Sequence, residues 1–240
     1  FPEEGDANVI ESGTSAGGSL LGTSSAISTN GTWAVFGSPG NNQVQIYEYS
    51  GGNWVFRTSF TGPANSLYGV SVDINSDGSR IVVGAAQFNG GRGAVYYLQR
   101  TGTSWATAGS TAPTNADPGD RFGMAVALND DGSQVLVGSP YDRQAGANAG
   151  AAYRFNWGTA NNTEANLGKI LPQFDAGESG NARAGDAFGY SVAFDGDMMV
   201  IGSPFDNHSG RSDAGSAYVY RIGTAGYIKL IKEGNIASAD

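Results

Sequence analysis

Residues 116–128 read Ala-Asp-Pro-Gly-Asp-Arg-Phe-Gly-Met-Ala-Val-Ala-Leu, and residues 182–194 read Ala-Arg-Ala-Gly-Asp-Ala-Phe-Gly-Tyr-Ser-Val-Ala-Phe. The two stretches share Gly-Asp-x-Phe-Gly followed by an alternating run, and the likeness continues downstream. Val135-Leu-Val-Gly-Ser-Pro-Tyr-Asp142 aligns with Met199-Val-Ile-Gly-Ser-Pro-Phe-Asp206, and Ala149-Gly-Ala-Ala-Tyr-Arg-Phe155 with Ala214-Gly-Ser-Ala-Tyr-Val-Tyr220. Two fainter copies precede them. One runs through Leu67–Ile74, Ile81–Ala86 and Gly93–Leu98, the other through Leu20–Ile27, Trp33–Pro39 and Val44–Tyr49. The anchoring glycines Gly22, Gly69, Gly123 and Gly189 stand 47, 54 and 66 residues apart. That is the period range of propeller blades.

Each copy predicts four short strands. The first is Phe-Gly-x-Ser/Ala-Val-x-apolar or its degenerate form. A turn follows, at Thr29–Thr32, Ser76–Ser79, Asp130–Ser133 and Asp195–Asp197, where Asn-Gly and Asp-Gly supply the positive φ that a hairpin needs. The second is an apolar run ending in Gly-Ser-Pro or Gly-Ala-Ala, as expected of a strand buried on both faces, its glycine permitting close backbone approach. The third alternates small and aromatic residues. The fourth is more polar, at Trp54–Thr58, Trp105–Thr107, Lys169–Leu171 and Tyr227–Lys232, which suits an exposed edge. The predicted fold is therefore all-β: a β-propeller of four-stranded antiparallel blades with almost no helix. Its predicted division is an orphan outer strand and lead-in at 1–16, blades at 17–62, 63–113, 114–173 and 174–236, and the start of a further repeat at 237–240.

Composition agrees. Glycine is 38 of 240 residues, charged residues are 15% and hydrophobic residues 40%, with 11 Phe and 11 Tyr. This is too apolar and too weakly charged for a disordered chain and too glycine-rich for a helical bundle. A formal net charge of −9 argues against a nucleic-acid partner, which requires clustered Lys and Arg. No run of about 20 apolar residues is present, so no membrane insertion is expected. The absence of cysteine removes disulfides, thiol catalysis and Cys-ligated metals.

Phe122-Gly123 with Gly138-Ser139-Pro140, and Phe188-Gly189 with Gly202-Ser203-Pro204, resemble the FG-GAP repeat family of integrin alpha-subunit propellers and many secreted or surface proteins. Tyr68-Gly69 with Gly84-Ala85-Ala86, and Leu21-Gly22 with Gly37-Ser38-Pro39, are degenerate copies. The resemblance implies a β-propeller and an extracellular or cell-surface setting. It is specific for fold rather than for activity. Many integrin-type repeats carry an Asp-x-Asp-x-Asp-Gly calcium loop. No such loop is complete here, and Asp195-Gly-Asp197 is too short to wrap an ion that takes six to eight oxygens.

Around the ends of the chain three arrangements compete. The chain is a segment of a larger propeller, or a closed four-bladed ring with an extra strand. In the third, the strand around Asn8–Glu11 adds through Val9 and Ile10 to another copy.

Long loops in the last two repeats are where function would sit on a rigid scaffold. Asp142, Asn148, Asp206, Asn207 and Asp213 form a candidate calcium or ligand set, against the alternative that each Asp caps its own turn. Asp120 and Asp186 both sit in Gly-Asp-x-Phe-Gly; against metal binding, their expected role is to accept hydrogen bonds from a neighbouring blade's backbone. His208 is the single histidine, so any Ser–His–Asp triad would have to use it, and a solvated loop histidine is the expected reading. Trp33, Trp54, Trp105 and Trp157 are expected to pack between blades rather than to stack on sugars. Asn30, Asn161 and Asn207 open Asn-x-Ser/Thr triplets and are candidate glycosylation sites. The reading reached from sequence is a non-enzymatic extracellular binding or structural module. It would contact a protein or glycan ligand, or other copies of itself, and requires no cofactor, with calcium as the one candidate ion. The alternative is a carbohydrate-active enzyme (a glycosidase or polysaccharide lyase) or a lectin using the propeller face.

Overall fold

The computed structural model describes residues 18–157, 168–172, 184–207 and 212–223, together with the backbone of 226–233. Among the described residues sixteen strands form four antiparallel sheets of four, each from one sequence repeat and each in simple meander order. The first sheet holds β1 (Ser24–Ile27), β2 (Trp33–Ser38), β3 (Gln43–Ser50) and β4 (Asn53–Thr61). The second holds β5 (Tyr68–Ile74), β6 (Arg80–Ala85), β7 (Ala94–Thr101) and β8 (Ser104–Thr111). The third holds β9 (Ala125–Leu128), β10 (Gln134–Ser139), β11 (Ala151–Asn156) and β12 (Gly168–Ile170). The fourth holds β13 (Ser191–Asp195), β14 (Met198–Ser203), β15 (Ser216–Gly223) and β16 (Gly226–Glu233). Helical structure among the described residues is limited to one turn at Pro39–Asn41 and one at Phe88–Gly91. No helix among them is long and apolar enough to cross a membrane.

The hairpins form where the sequence places them. Asn75 Oδ1 accepts from the amides of Ser79 and Arg80, both at 2.9 Å, and Asn129 Oδ1 accepts from Gln134 N at 2.8 Å. These side chains satisfy the backbone at a turn whose glycine adopts positive φ, as at Gly78 (67°) and Gly132 (66°). The pairing of third and fourth strands is broken at one place in three sheets, between Ile46 and Tyr47, Tyr97 and Leu98, and Val219 and Tyr220. Such an irregularity adds local twist.

Consecutive sheets pack face to face through a repeated junction. The second strand of each sheet contributes one residue toward the following sheet, and that residue meets the last apolar residue of the next first strand. Val35 and Ile74 share one buried cluster, Val82 and Leu128 the next, Leu136 and Phe194 the third. Phe122 and Phe188 are fully buried in equivalent places, edge-on to Tyr153 at 5.2 Å and to Tyr218 at 5.0 Å. Tyr68 holds the same relation to Tyr96, at 5.2 Å. The glycine that ends each second strand is needed for contact. A Cβ on Gly37, Gly84 or Gly138 would lie 1.9, 2.0 or 1.9 Å from the carbonyl oxygen of Gly69, Gly123 or Gly189 in the following sheet.

Trp33, Trp105 and Trp157 pack between sheets as expected from sequence, with a partner the sequence does not announce, whereas Trp54 lines a surface groove of the first sheet. Trp33 is buried edge-on to Trp105 at 5.5 Å, and the Arg100 guanidinium lies 4.8 Å from its ring centroid. Arg80 repeats the arrangement over Trp157 at 5.5 Å, and Trp157 also packs on Tyr97 at 4.8 Å. Trp54 is half-buried beside Tyr49.

Candidate binding site

The loops that connect second to third strands meet the lead-in of the same repeat at one end of each sheet. In the third repeat they enclose a polar pocket of about 290 Å³, lined by Asn115, Asp117, Asp120, Asp142, Arg143, Gln144 and Lys169. Asp142 follows the strand-ending Gly-Ser-Pro-Tyr and is buried. Its Oδ1 accepts from Gln144 N at 3.0 Å, the local turn bond expected of an Asp here. Its Oδ2 accepts from the Tyr153 hydroxyl at 2.9 Å and pairs with Lys169 Nζ at 2.7 Å. Lys169 also stands 5.3 Å from the Tyr153 ring centroid. The carboxylate charge is thus met by an ammonium and a phenol from β12 and β11 of its own sheet.

Asp120 enters the same pocket from the lead-in. Its Oδ2 accepts from Asp117 N at 2.7 Å, and its backbone carbonyl accepts from the Ser139 hydroxyl at 3.0 Å. The expected bond to a neighbouring sheet is therefore corrected: the side chain caps its own lead-in. Neighbouring sheets are joined here by backbone, with Arg121 N donating to Gly91 O at 2.8 Å and Phe122 N to Arg92 O at 3.3 Å. Burial pushes the Asp120 carboxyl above the ordinary carboxylate range. The Asp117 amide opposes that push, the Asp142 charge adds to it, and Arg143 opposes it. Asp120 Oδ1 has no hydrogen-bond partner among the described residues.

The fourth repeat places the same acids and tyrosine at this end. Asp206 Oδ2 accepts from the Tyr218 hydroxyl at 3.0 Å, and Asp186 O accepts from the Ser203 hydroxyl at 2.9 Å. Asp213 N donates to Asn207 Oδ1 at 3.0 Å. Asn148 adopts φ 53° and its carbonyl accepts from Ala187 N of the fourth repeat. The five candidate calcium ligands therefore fall into two loops on two sheets, each organised by its own turn bonds and tyrosine. Among the described residues no group of three or more His, Cys, Asp or Glu is placed to hold a metal ion. Asn30 and Asn207 are exposed; Asn30 Oδ1 accepts from Ser28 Oγ and Thr32 N. Asn161, His208 and the Val9–Ile10 strand lie outside the described residues.

The sequence reading missed Tyr153, Tyr218 and Lys169 as partners of these acids. A signal existed for the tyrosines: both occupy the same column of the aligned third strands, as Asp142 and Asp206 do of the loops. The Lys169 pairing follows from strand register: Lys169 stands opposite Tyr153 across β11 and β12, and Lys232 holds the matching place opposite Tyr218 across β15 and β16.

No curated protein matches the chain significantly. The FG-GAP repeat family does match, over residues 105–155 and 179–220. The matched segments take in β9 to β11 of the third sheet and β13 to β15 of the fourth, so the similarity covers these two repeats.

Proposed function

We propose that the four sheets are blades of a β-propeller that serves as a non-enzymatic extracellular module for binding macromolecules, with a protein as the favoured class of partner. The observation that carries this reading is the way the repeated acids are used. Asp142 holds Tyr153 and Lys169, Asp206 holds Tyr218, and Asp120 holds the Asp117 amide. Carboxylates at recurring positions that stabilise recurring turns serve the scaffold, and the scaffold presents its loops. The FG-GAP match supports the same class of role. A protein is favoured over a glycan because Trp33 is buried and Trp105 and Trp157 pack inside the array, which leaves no row of exposed indoles for sugar stacking. Calcium is not needed to neutralise Asp142, since Lys169 does so.

One observation favours a second reading. Asp120 and Asp142 share a concave pocket, and Asp120 titrates above its ordinary range while Asp142 is ion-paired. A carboxyl raised by burial beside an ion-paired one suits acid–base chemistry on a glycoside. A single experiment separates the two. The immobilised chain is presented with panels of extracellular-matrix proteins and glycans, and in parallel with polysaccharide substrates. Saturable protein binding without turnover supports the binding module. Turnover abolished by Asp120→Asn overturns it.

A further inference from the structure

The junction that joins each sheet to the next recurs three times, and among the described residues its two halves stand open on the outer faces of the first and fourth sheets. In the junction, the back face of a sheet buries its Phe-Gly glycine and its last first-strand residue. Gly69, Gly123 and Gly189 are buried, and Ile74, Leu128 and Phe194 are 6, 4 and 8% exposed. The first sheet carries the same elements uncovered. Gly22 is exposed, a Cβ built on it meets nothing within 4 Å, and Ile27 is 58% exposed. Beside Ile27 an apolar groove of about 310 Å³ runs between Ala34, Phe36 and Trp54.

The front face shows the complement. Val35, Val82 and Leu136 are fully buried against the following sheet, whereas Val200 in the same column is 39% exposed. Ala127 is buried and Ala193 exposed; Pro39 and Pro140 are buried and Pro204 exposed. Ser24 and Ser71 donate to the next glycine carbonyl, while Ser191 is exposed. Tyr190 and Phe205, edge-on to each other at 6.3 Å, extend this uncovered surface.

We propose that the front face of the fourth sheet docks on the back face of the first sheet of a second copy of this chain, reproducing the internal junction between molecules. The inference rests on the binding-module reading and names a partner for it. The occupant follows from complementarity. The open front offers a serine hydroxyl, Val200 and a glycine-ended strand, and the open back offers a glycine carbonyl and Ile27. These are the same pieces that meet at Val35–Ile74, Val82–Leu128 and Leu136–Phe194. Because one copy carries both halves, the contact is head-to-tail, and it closes a ring or extends a filament according to the rotation between copies.

Sedimentation velocity on the purified 240-residue chain across a wide concentration range tests this. The wild type is expected to form species larger than the 24.6 kDa monomer. Ile27→Asp and Val200→Lys replace exposed side chains, so each variant should keep the wild-type melting curve. Each alone should weaken association by about a hundredfold or more, since it buries an unpaired charge. Mixing the two should restore association, because each variant supplies the intact half the other lacks. A monomeric wild type, single variants that associate like the wild type, or a mixture that stays monomeric would each overturn the proposal. A monomeric wild type that still binds a protein saturably leaves the module reading standing. An associating chain that turns over a polysaccharide defeats the module reading and leaves the docking intact.

Discussion

Ser71 of the second sheet donates its hydroxyl to the carbonyl of Gly123 in the third, at 2.9 Å. Ser24 makes the same bond to Gly69, also at 2.9 Å. The bond is possible because the neighbouring second-strand residue is glycine, which lets two backbones approach within the space a methyl would occupy. One side chain present and one absent thus set the spacing between sheets, and the apolar pairs Val35–Ile74 and Val82–Leu128 fill what remains.

Gly84→Ala should therefore be severe and Gly202→Ala mild. A Cβ at Gly84 would lie 2.0 Å from Gly123 O, a backbone atom fixed by both sheets. At Gly202 the nearest atom is Ser191 Oγ at 2.3 Å, which can rotate away. We expect a loss of about 3 kcal/mol or more for the first and about 1 kcal/mol or less for the second. Urea unfolding of the two variants measures both, and equal losses would show that close approach does not set the junction.

Asp73 supplies a pH dependence. It is the one acid in a column otherwise filled by Ala26, Ala127 and Ala193, and its Oδ2 accepts from Leu128 N at 2.7 Å across two sheets. Burial lifts its carboxyl to about 6, against lowering by the Leu128 and Ile74 amides. An acid whose pKa is raised on folding binds more protons folded than unfolded between its ordinary value of 3.8 and about 6. Its contribution to stability therefore falls as pH rises through that window, by about 3 kcal/mol at most, and is flat above it. Asp73→Asn keeps an acceptor for Leu128 N and removes the titration. Its unfolding free energy should exceed that of the wild type at pH 8, with the gap closing toward pH 4. A gap independent of pH would dismiss Asp73 as the cause.

The strands were legible from sequence because turn chemistry and strand pattern repeat together. Asp-Gly or Asn-Gly, then an apolar run closed by glycine, then small-aromatic alternation leaves little choice of register. The junction was only half legible. The terminal glycines announced a close approach, but which atom they approach depends on how one sheet is rotated on the next, and no local pattern encodes that. The same limit hid Arg100 over Trp33 and Arg80 over Trp157, since each pair joins two repeats. At the pocket, Asp142 was visible as a recurring acid. Its pairing with Lys169 was not, because it depends on the register of β12 against β11, which the strand pattern does not fix.

Asp142→Ala should cost more than Tyr153→Phe. The first leaves both the Tyr153 hydroxyl and the Lys169 ammonium without their carboxylate, and the pair is largely shielded from water, at 5% and 16% side-chain exposure. A loss of about 3 kcal/mol is expected, the cost of breaking a buried pair from one side. The second removes only the Tyr153 hydroxyl and leaves the carboxylate its Lys169 partner, at about 1 to 2 kcal/mol. Denaturant titration ranks the two. Restoring the first by the additional change Lys169→Met would confirm that the stranded ammonium carries most of the cost.

Ala125→Ser should stabilise the chain. Ala125 occupies the column of Ser24, Ser71 and Ser191, and the junction it belongs to is the one of three in which that column lacks a hydroxyl. A Cβ on Gly138 would lie 1.9 Å from Gly189 O and 3.4 Å from Ala125 Cβ, so the three groups stand as in the other junctions. A serine there has the Gly189 carbonyl within reach in the geometry that Ser71 uses toward Gly123. The added bond should contribute about 0.5 to 1 kcal/mol, and Ser71→Ala should lose about as much. Urea unfolding of the two variants checks the pair. A loss in Ser71→Ala with no gain in Ala125→Ser would mean that the third junction is spaced differently from the second. No change in either would mean that glycine packing alone holds the sheets together.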